Sequence, residues 1–123
     1  MLLAILVGLA ASLGAVARYL VDQAVAQKWE SALPWGTWVI NVSGSFILGL
    51  ITGLSLHHGL SPHVVSVLGT GVCGGYTTFS TFSAETIRLA EDGSPASAVG
   101  NIAGSIAAGL LAAAAGLGLA IVI

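Results

Sequence analysis

Gly69-Thr70-Gly71-Val72-Cys73-Gly74-Gly75-Tyr76-Thr77-Thr78-Phe79-Ser80-Thr81-Phe82-Ser83 is the stretch whose reading decides the fold. It lies midway along an apolar segment that opens at Pro62. Its first half carries glycine at 69, 71, 74 and 75, and each glycine weakens a helix interior by roughly 1 kcal/mol relative to alanine. Its second half alternates hydroxyls with two phenylalanines. If the segment crosses a membrane, the glycine run falls near mid-depth. Irregular backbone survives there only where protein or a polar cavity satisfies it. The expectation is a helix broken across Gly69–Gly75, freeing carbonyls from Gly74 to Thr77, followed by a hydroxyl-and-aromatic face. That is the pattern of a permeation site.

Composition supports the membrane setting. The 123 residues are 56% hydrophobic and 7% charged, where soluble domains run near ~25% charged. So few charges cannot cover a soluble protein of this size, and an integral membrane protein is expected, with length for about four spans of ~20 residues. A net charge of -2 argues against nucleic-acid binding. The single Cys73 sits among glycines, so no intrachain disulfide forms and no metal cluster is suggested.

Outward from the central stretch, the chain divides into spans at about 2–21, 34–56, 62–90 and 95–123, one four-helix membrane domain. Pro34, Pro62 and Pro95 mark the span starts, since proline is tolerated in a first helical turn. Ser61 and Ser94 precede two of them as candidate N-caps. Ala15-Val16-Ala17 resembles a signal-peptidase site, but no Lys or Arg precedes the apolar run, so the first span reads as retained. Arg18 and Asp22, four apart, are either a snorkelling Arg with its partner or an Arg that draws anions to a vestibule or braces the fold. Trp29, Trp35 and Trp38 cluster at one boundary like an aromatic belt. The loop with His57, His58 and His63 reads as solvated, without an acid or thiol to complete a metal site. Lys28 and Arg88, with Arg18, bias the positive charge to one side.

Two stripes repeat every four residues: Thr37, Asn41, Ser45, Gly49, Gly53 in the second span, and Ser97, Asn101, Ser105, Gly109, Ala113 in the fourth. Small residues at this spacing let helices approach closely, and polar ones hydrogen-bond across the contact. Gly100 and Gly104 offer another close-packing face. Asn41 is either interhelical glue or an ion-facing donor. No acid or base lies deep in a span, which removes the usual carboxylate of a coupled transporter. There is no nucleophile–base pair and no phosphate loop, so no enzyme is expected. The available donors are neutral hydroxyls and amides, which replace an ion's hydration without trapping it by full charge pairing. Phe79 and Phe82, three apart, project from one helix face, either as packing or as positive ring edges toward a small anion.

Gly74-Gly75-Tyr76-Thr77-Thr78-Phe79-Ser80-Thr81-Phe82-Ser83-Ala84-Glu85 closely resembles the GG-x-TTFSTFSxE signature of the Fluc (CrcB) fluoride channels. Gly36-Thr37, Asn41 and Gly44-Ser45-Phe46 resemble that family's second-helix pattern, and Gly14 to Tyr19 its first-helix G-x-x-x-RY element. The resemblance implies an all-α membrane protein of four transmembrane helices, the third broken mid-membrane, paired as an antiparallel dual-topology homodimer in the lipid bilayer of the cell membrane. It implies passive export of fluoride from the cytoplasm. Phe79, Phe82 and Asn41 would contact the ion, with Thr78, Thr81, Ser83, Ser105, Asn101 and Glu85 along or near the polar track and Arg18 at a vestibule. Carbonyls of Gly74 and Thr77 from both subunits would enclose a structural sodium ion (Na⁺). In the fourth helix the series Asn101, Ser105, Gly109 departs from the family at Gly109, which has no hydroxyl.

Two other readings compete. A small dual-topology multidrug-type transporter matches in size, but it needs an acid in the first span, and Leu2 to Ala17 has none. A non-conducting membrane assembly subunit fits the Gly/Ala stripes and leaves the hydroxyl–phenylalanine face unexplained.

Overall fold

The computed structural model describes residues 1–123 as helices joined by short turns, with no strand. The first helix is Leu2–Lys28, the second Trp35–His58 and the last Pro95–Val122. All three are long and apolar enough to cross a membrane. Between the second and the last runs a broken passage. Its first arm, residues 62–76, winds as an α turn Pro62–Val65, wide π turns Ser66–Cys73 and a further turn Gly74–Tyr76. Its second arm is the helix Phe79–Glu91. They are called here the glycine arm and the phenylalanine arm.

Punctuation follows local chemistry. The second helix closes on Gly59, whose φ of 66° is a left-handed turn that a side chain would strain, and the Gly59 N–H donates back to Leu54. Gly93 makes the corresponding turn before the last helix. Pro62 and Pro95 occupy first turns as expected. The two serines before them do not cap: neither side chain bonds a helical N–H, and the Ser94 hydroxyl donates to that of Ser97 at 2.7 Å instead. The first helix runs on past Val21 to Lys28. Residues 22–28 contain no breaker and several good helix formers, and hydropathy reports the apolar stretch rather than the helix.

The second and last helices pack most extensively on each other. Gly49 faces the backbone of Ala113, Gly116 faces the backbone of Phe46, and Gly53 faces Ala120 and Leu117, so the small-residue stripes do bring helices close. Gly104 differs: it receives the indole ring of Trp38, not another backbone. The glycine arm packs on the first helix. A Cβ at Gly71 would meet that of Ala10 at 2.7 Å, and one at Gly75 would run into the carbonyl of Ala11. This corrects the expected break across Gly69–Gly75. The run stays wound, because at Gly71 and Gly75 the missing side chains let two backbones touch, and the contact offsets the poor propensity.

The break falls two residues later. Thr77 (φ -78°, ψ 161°) and Thr78 (φ -147°, ψ 123°) are extended. The Thr77 methyl abuts Gly44 and the turn before it abuts Gly14, near the middle of the second and first helices. The break therefore lies at mid-length of the passages around it. Large apolar side chains such as Leu9, Leu13, Val16, Ile106, Leu110 and Leu111 point outward, as lipid-facing surface does.

Candidate functional site

Extended backbone inside a helical bundle must find partners. Thr77 turns both its N–H and its hydroxyl back to the carbonyl of Cys73, each at 2.9 Å. Thr78 is served by Asn41 of the second helix. The Asn41 amide donates from Nδ2 to the Thr78 carbonyl at 2.9 Å, and its Oδ1 accepts the Thr78 N–H at 2.9 Å. The amide thus pairs with an extended residue as a neighbouring strand would. Thr78, itself buried, then starts the phenylalanine arm: its Oγ1 accepts the Thr81 N–H at 3.2 Å, an N-cap that stabilises a helix start by about 1 kcal/mol. The same Oγ1 donates to the Thr81 hydroxyl at 3.1 Å.

Beside this junction lies an open groove of about 320 Å³, lined by Asn41, Thr77, Thr78, Phe79, Phe82, Ser105 and Ile106. Phe79 and Phe82 have ring centroids 5.9 Å apart and planes tilted by 42°. Phe79 is 79% exposed and Phe82 half-buried. One N–H of the Asn41 amide is engaged by Thr78 and the other is uncommitted. The Ser105 hydroxyl makes no bond within the chain, and no charged side chain lines the groove. It therefore offers uncommitted neutral donors and two aromatic rings. That set suits a small, poorly polarisable anion, which accepts N–H and O–H bonds and the positive rim of a ring.

The structure thus brings together Asn41, Thr78, Phe79, Phe82 and Ser105, and leaves the other candidates apart. Thr81 is tied to Thr78. The Ser83 hydroxyl donates to the Phe79 carbonyl at 2.9 Å. Asn101 is 3% exposed and bonded on both sides of its amide, to Trp38 and to Thr86. Glu85 lines a second cavity of about 520 Å³ at the helix ends, with Asp22, Trp29, Trp35, Arg88 and Asp92 among its walls. One Glu85 carboxylate oxygen is buried there without a hydrogen-bond partner. Arg18 does not line that cavity, and of its alternative readings the pair with Asp22 does not form. Asp22 reaches across to Gly36, while Arg18 donates from Nη1 to the Thr77 carbonyl at 3.3 Å, so it sits at the break. Gly109 faces Ser45, whose hydroxyl would lie 3.5 Å from a Cβ there and donates to the Asn41 carbonyl at 2.7 Å.

For a cation, the chain offers the carbonyls of Gly74 and Thr77. No turn or cap bond uses either oxygen, and Gly74 is exposed with open space where a Cβ would stand. Neutral carbonyls are hard donors of the kind sodium takes. Two oxygens from one chain are too few to surround an ion, and the Arg18 guanidinium beside Thr77 opposes a cation. No cluster of His, Cys, Asp and Glu competes for the role. His58 donates from Nε2 to the Ala120 carbonyl at 2.8 Å rather than joining His57 or His63.

Sequence reasoning missed Trp38 and Thr86. Trp38 reads as interfacial, yet its indole N–H donates to Asn101 Oδ1 at 2.7 Å. The signal was present in the i,i+3 spacing of Trp38 and Asn41, which puts both on one helix face.

Fold and site together define a small polytopic helical membrane protein whose third passage is broken beside an uncharged donor groove. Residues 5–117 match the family described as "CrcB-like protein, Camphor Resistance (CrcB)". The chain is 49% identical over 107 residues to "Fluoride-specific ion channel FluC 1" of Streptomyces avermitilis, covering 87% of this chain and 86% of that one. It is 47% identical to the protein of the same name from Frankia casuarinae, covering 89% of each. It is 45% identical to "Fluoride-specific ion channel FluC" of Rhizobium meliloti, covering 94% and 93%. The chain belongs to the CrcB family.

Proposed function

We propose that this protein is a passive fluoride-selective channel of the cell membrane that lets fluoride leave the cytoplasm. The observation that carries the reading is the groove beside the break, where an uncommitted Asn41 N–H, the Ser105 hydroxyl and the Phe79 and Phe82 rings converge without a charged group. The names of the relatives supply the ion. A small anion crossing here exchanges its water for these donors and for the positive ring edges, and no cation on the groove wall holds it too tightly to leave.

Two copies complete the assembly as an antiparallel, dual-topology homodimer. The exposed Gly74, with open space where a Cβ would stand, suits a close approach of a second chain. Carbonyls of Gly74 and Thr77 from both copies then hold a sodium ion as a structural tie, with Arg18 drawn off the Thr77 oxygen.

Flux from proteoliposomes tests the reading. Purified protein reconstituted in liposomes loaded with fluoride should release it rapidly once a potassium ionophore balances charge, and chloride-loaded vesicles should not empty. Equal leakage of both anions, or release of neither, sinks the proposal.

A further inference from the structure

Three polar side chains that do not line the fluoride groove form one directed chain. The Trp38 indole N–H donates to Asn101 Oδ1 at 2.7 Å. Asn101 Nδ2 donates to Thr86 Oγ1 at 2.8 Å. The Thr86 hydroxyl donates to the Phe82 carbonyl at 2.8 Å. Every bond points the same way, and such chains polarise their members cooperatively in a low-dielectric interior. Asn101 is 3% exposed and Thr86 9% exposed, so water does not replace these partners. The origin of the chain is also fixed: the indole ring lies on Gly104, where a Cβ would meet Cη2 at 2.6 Å.

The position of the chain gives it a role. The phenylalanine arm packs on the last helix and only marginally on the first two. Its setting relative to the second helix, which carries Asn41, rests on two polar links. One is the Asn41 clamp on Thr78, just before Phe79. The other runs from Trp38 through Asn101 and Thr86 to Phe82. Trp38 and Asn41 are one turn apart on one face of the second helix, and their links reach the arm on either side of the Phe79–Phe82 pair. A ring edge serves an anion only at contact distance and correct tilt, so small displacements of the arm are felt at the groove.

We infer that Trp38, Asn101 and Thr86 are positioning residues that hold Phe82 in register with Asn41, and that Asn101 acts through them rather than as a donor to the ion. The inference rests on the groove being the fluoride pathway, so wild-type flux is measured first. A wild-type protein that carries no fluoride removes the channel reading and this inference with it.

Given wild-type flux, three variants separate positioning from folding. Thr86→Val keeps the shape and removes the hydroxyl. Trp38→Phe keeps an aromatic ring against Gly104 and removes the N–H. Thr86→Ser keeps the hydroxyl and removes the methyl. Thr86→Val and Trp38→Phe should each slow fluoride efflux per folded protein roughly five- to tenfold, the scale of one hydrogen bond lost from the chain, with unchanged elution on size exclusion. Thr86→Ser should recover most of the rate. The double variant should be no slower than its slower parent, because both changes cut one chain. Wild-type rates in both single variants overturn the inference, as does Thr86→Ser as slow as Thr86→Val, or losses that multiply in the double. If Thr86→Val yields no folded protein, Trp38→Phe decides alone: slowed flux from a normally eluting protein supports the inference, and a wild-type rate overturns it.

Discussion

Over residues 62–76 the third passage meets the first helix backbone to backbone, through Gly71 against Val7 and Gly75 against Ala11. From Thr78 to Glu91 it packs on the last helix and is tied to the second helix by side-chain hydrogen bonds, at Thr78 and along the line from Trp38 through Asn101 and Thr86 to Phe82. The first arm is placed by steric contact, which has no tolerance for added volume. The second is hung on directional bonds, which fix orientation while leaving a ring such as Phe79 79% exposed. Two adjacent helices of one passage thus divide the labour. One anchors the break at mid-depth, and the other presents donors and rings to a groove.

The largest expected effect lies on the anchored arm. Gly75→Ala places a methyl on the Ala11 carbonyl, where neither backbone can yield. Overpacking of this kind destabilises by roughly 1–3 kcal/mol or more, and the yield of monodisperse protein should collapse. Gly74→Ala, one residue away, adds the same methyl into open space and should leave the fold of the chain intact. Equal yields for the two variants would remove the steric anchoring of the glycine arm on the first helix.

Asn41→Asp comes next and acts on the hung arm. An aspartate keeps the acceptor for the Thr78 N–H but loses the donor to the Thr78 carbonyl, setting two oxygens against each other. It also puts a negative charge on the groove wall. Like charges about 4 Å apart repel by ~4 kcal/mol at an effective dielectric of 20, so fluoride efflux should fall by two orders of magnitude or more. Asn41→Asp protein that elutes normally and conducts at the wild-type rate would remove Asn41 from the pathway.

A smaller loss is expected from Phe82→Ile, which keeps apolar bulk against the last helix and removes the ring edge. An aromatic contribution of ~0.5–1.5 kcal/mol beyond area burial corresponds to a roughly two- to twelvefold slowing of fluoride efflux. Elution should not change, because Phe82 is only half-buried. Unchanged flux would return the phenylalanines to a packing role and leave the difference between the arms purely mechanical.

Much of this architecture is legible from residue order, and the failures share a cause. The helix starts at Pro62 and Pro95 follow from a missing N–H, and close contact at Gly49 and Gly53 follows from small residues four apart. These are local or periodic facts. The break was expected at the glycines because their propensity is poor, yet they remain wound, and the threonines after them unwind. What decides is a tertiary contact, the backbone of the first helix against Gly71 and Gly75, which propensity does not contain. Spacing leaves Arg18 open between a pair with Asp22 and a vestibule or bracing role, and the fold turns it to the Thr77 carbonyl while Asp22 lies against Gly36. Trp38 read as interfacial because tryptophans cluster near Pro34, and only the fold brings Asn101 within 2.7 Å of its N–H. Asn41, Phe79, Phe82 and Ser105 meet in one groove although they come from three parts of the chain. Their shared neutrality was visible in the sequence, and their convergence was not.

The smallest expected effect tests whether the groove or the arm is the unit of recognition. Ser105 belongs to the last helix, not to either arm of the broken passage, and its hydroxyl has no partner within the chain. Ser105→Ala therefore leaves every link to the phenylalanine arm in place. It leaves no buried acceptor orphaned, so the fold should be unaffected. If the hydroxyl meets the ion in transit, its loss removes one neutral hydrogen bond, about 1 kcal/mol, and fluoride efflux should slow by a factor of about five. The same measurement on Ser83→Ala is the control. The Ser83 hydroxyl is already donated to the Phe79 carbonyl, outside the groove lining, so its removal should change the rate less than Ser105→Ala does. The opposite order would place the polar track along the phenylalanine arm alone and remove the last helix from it.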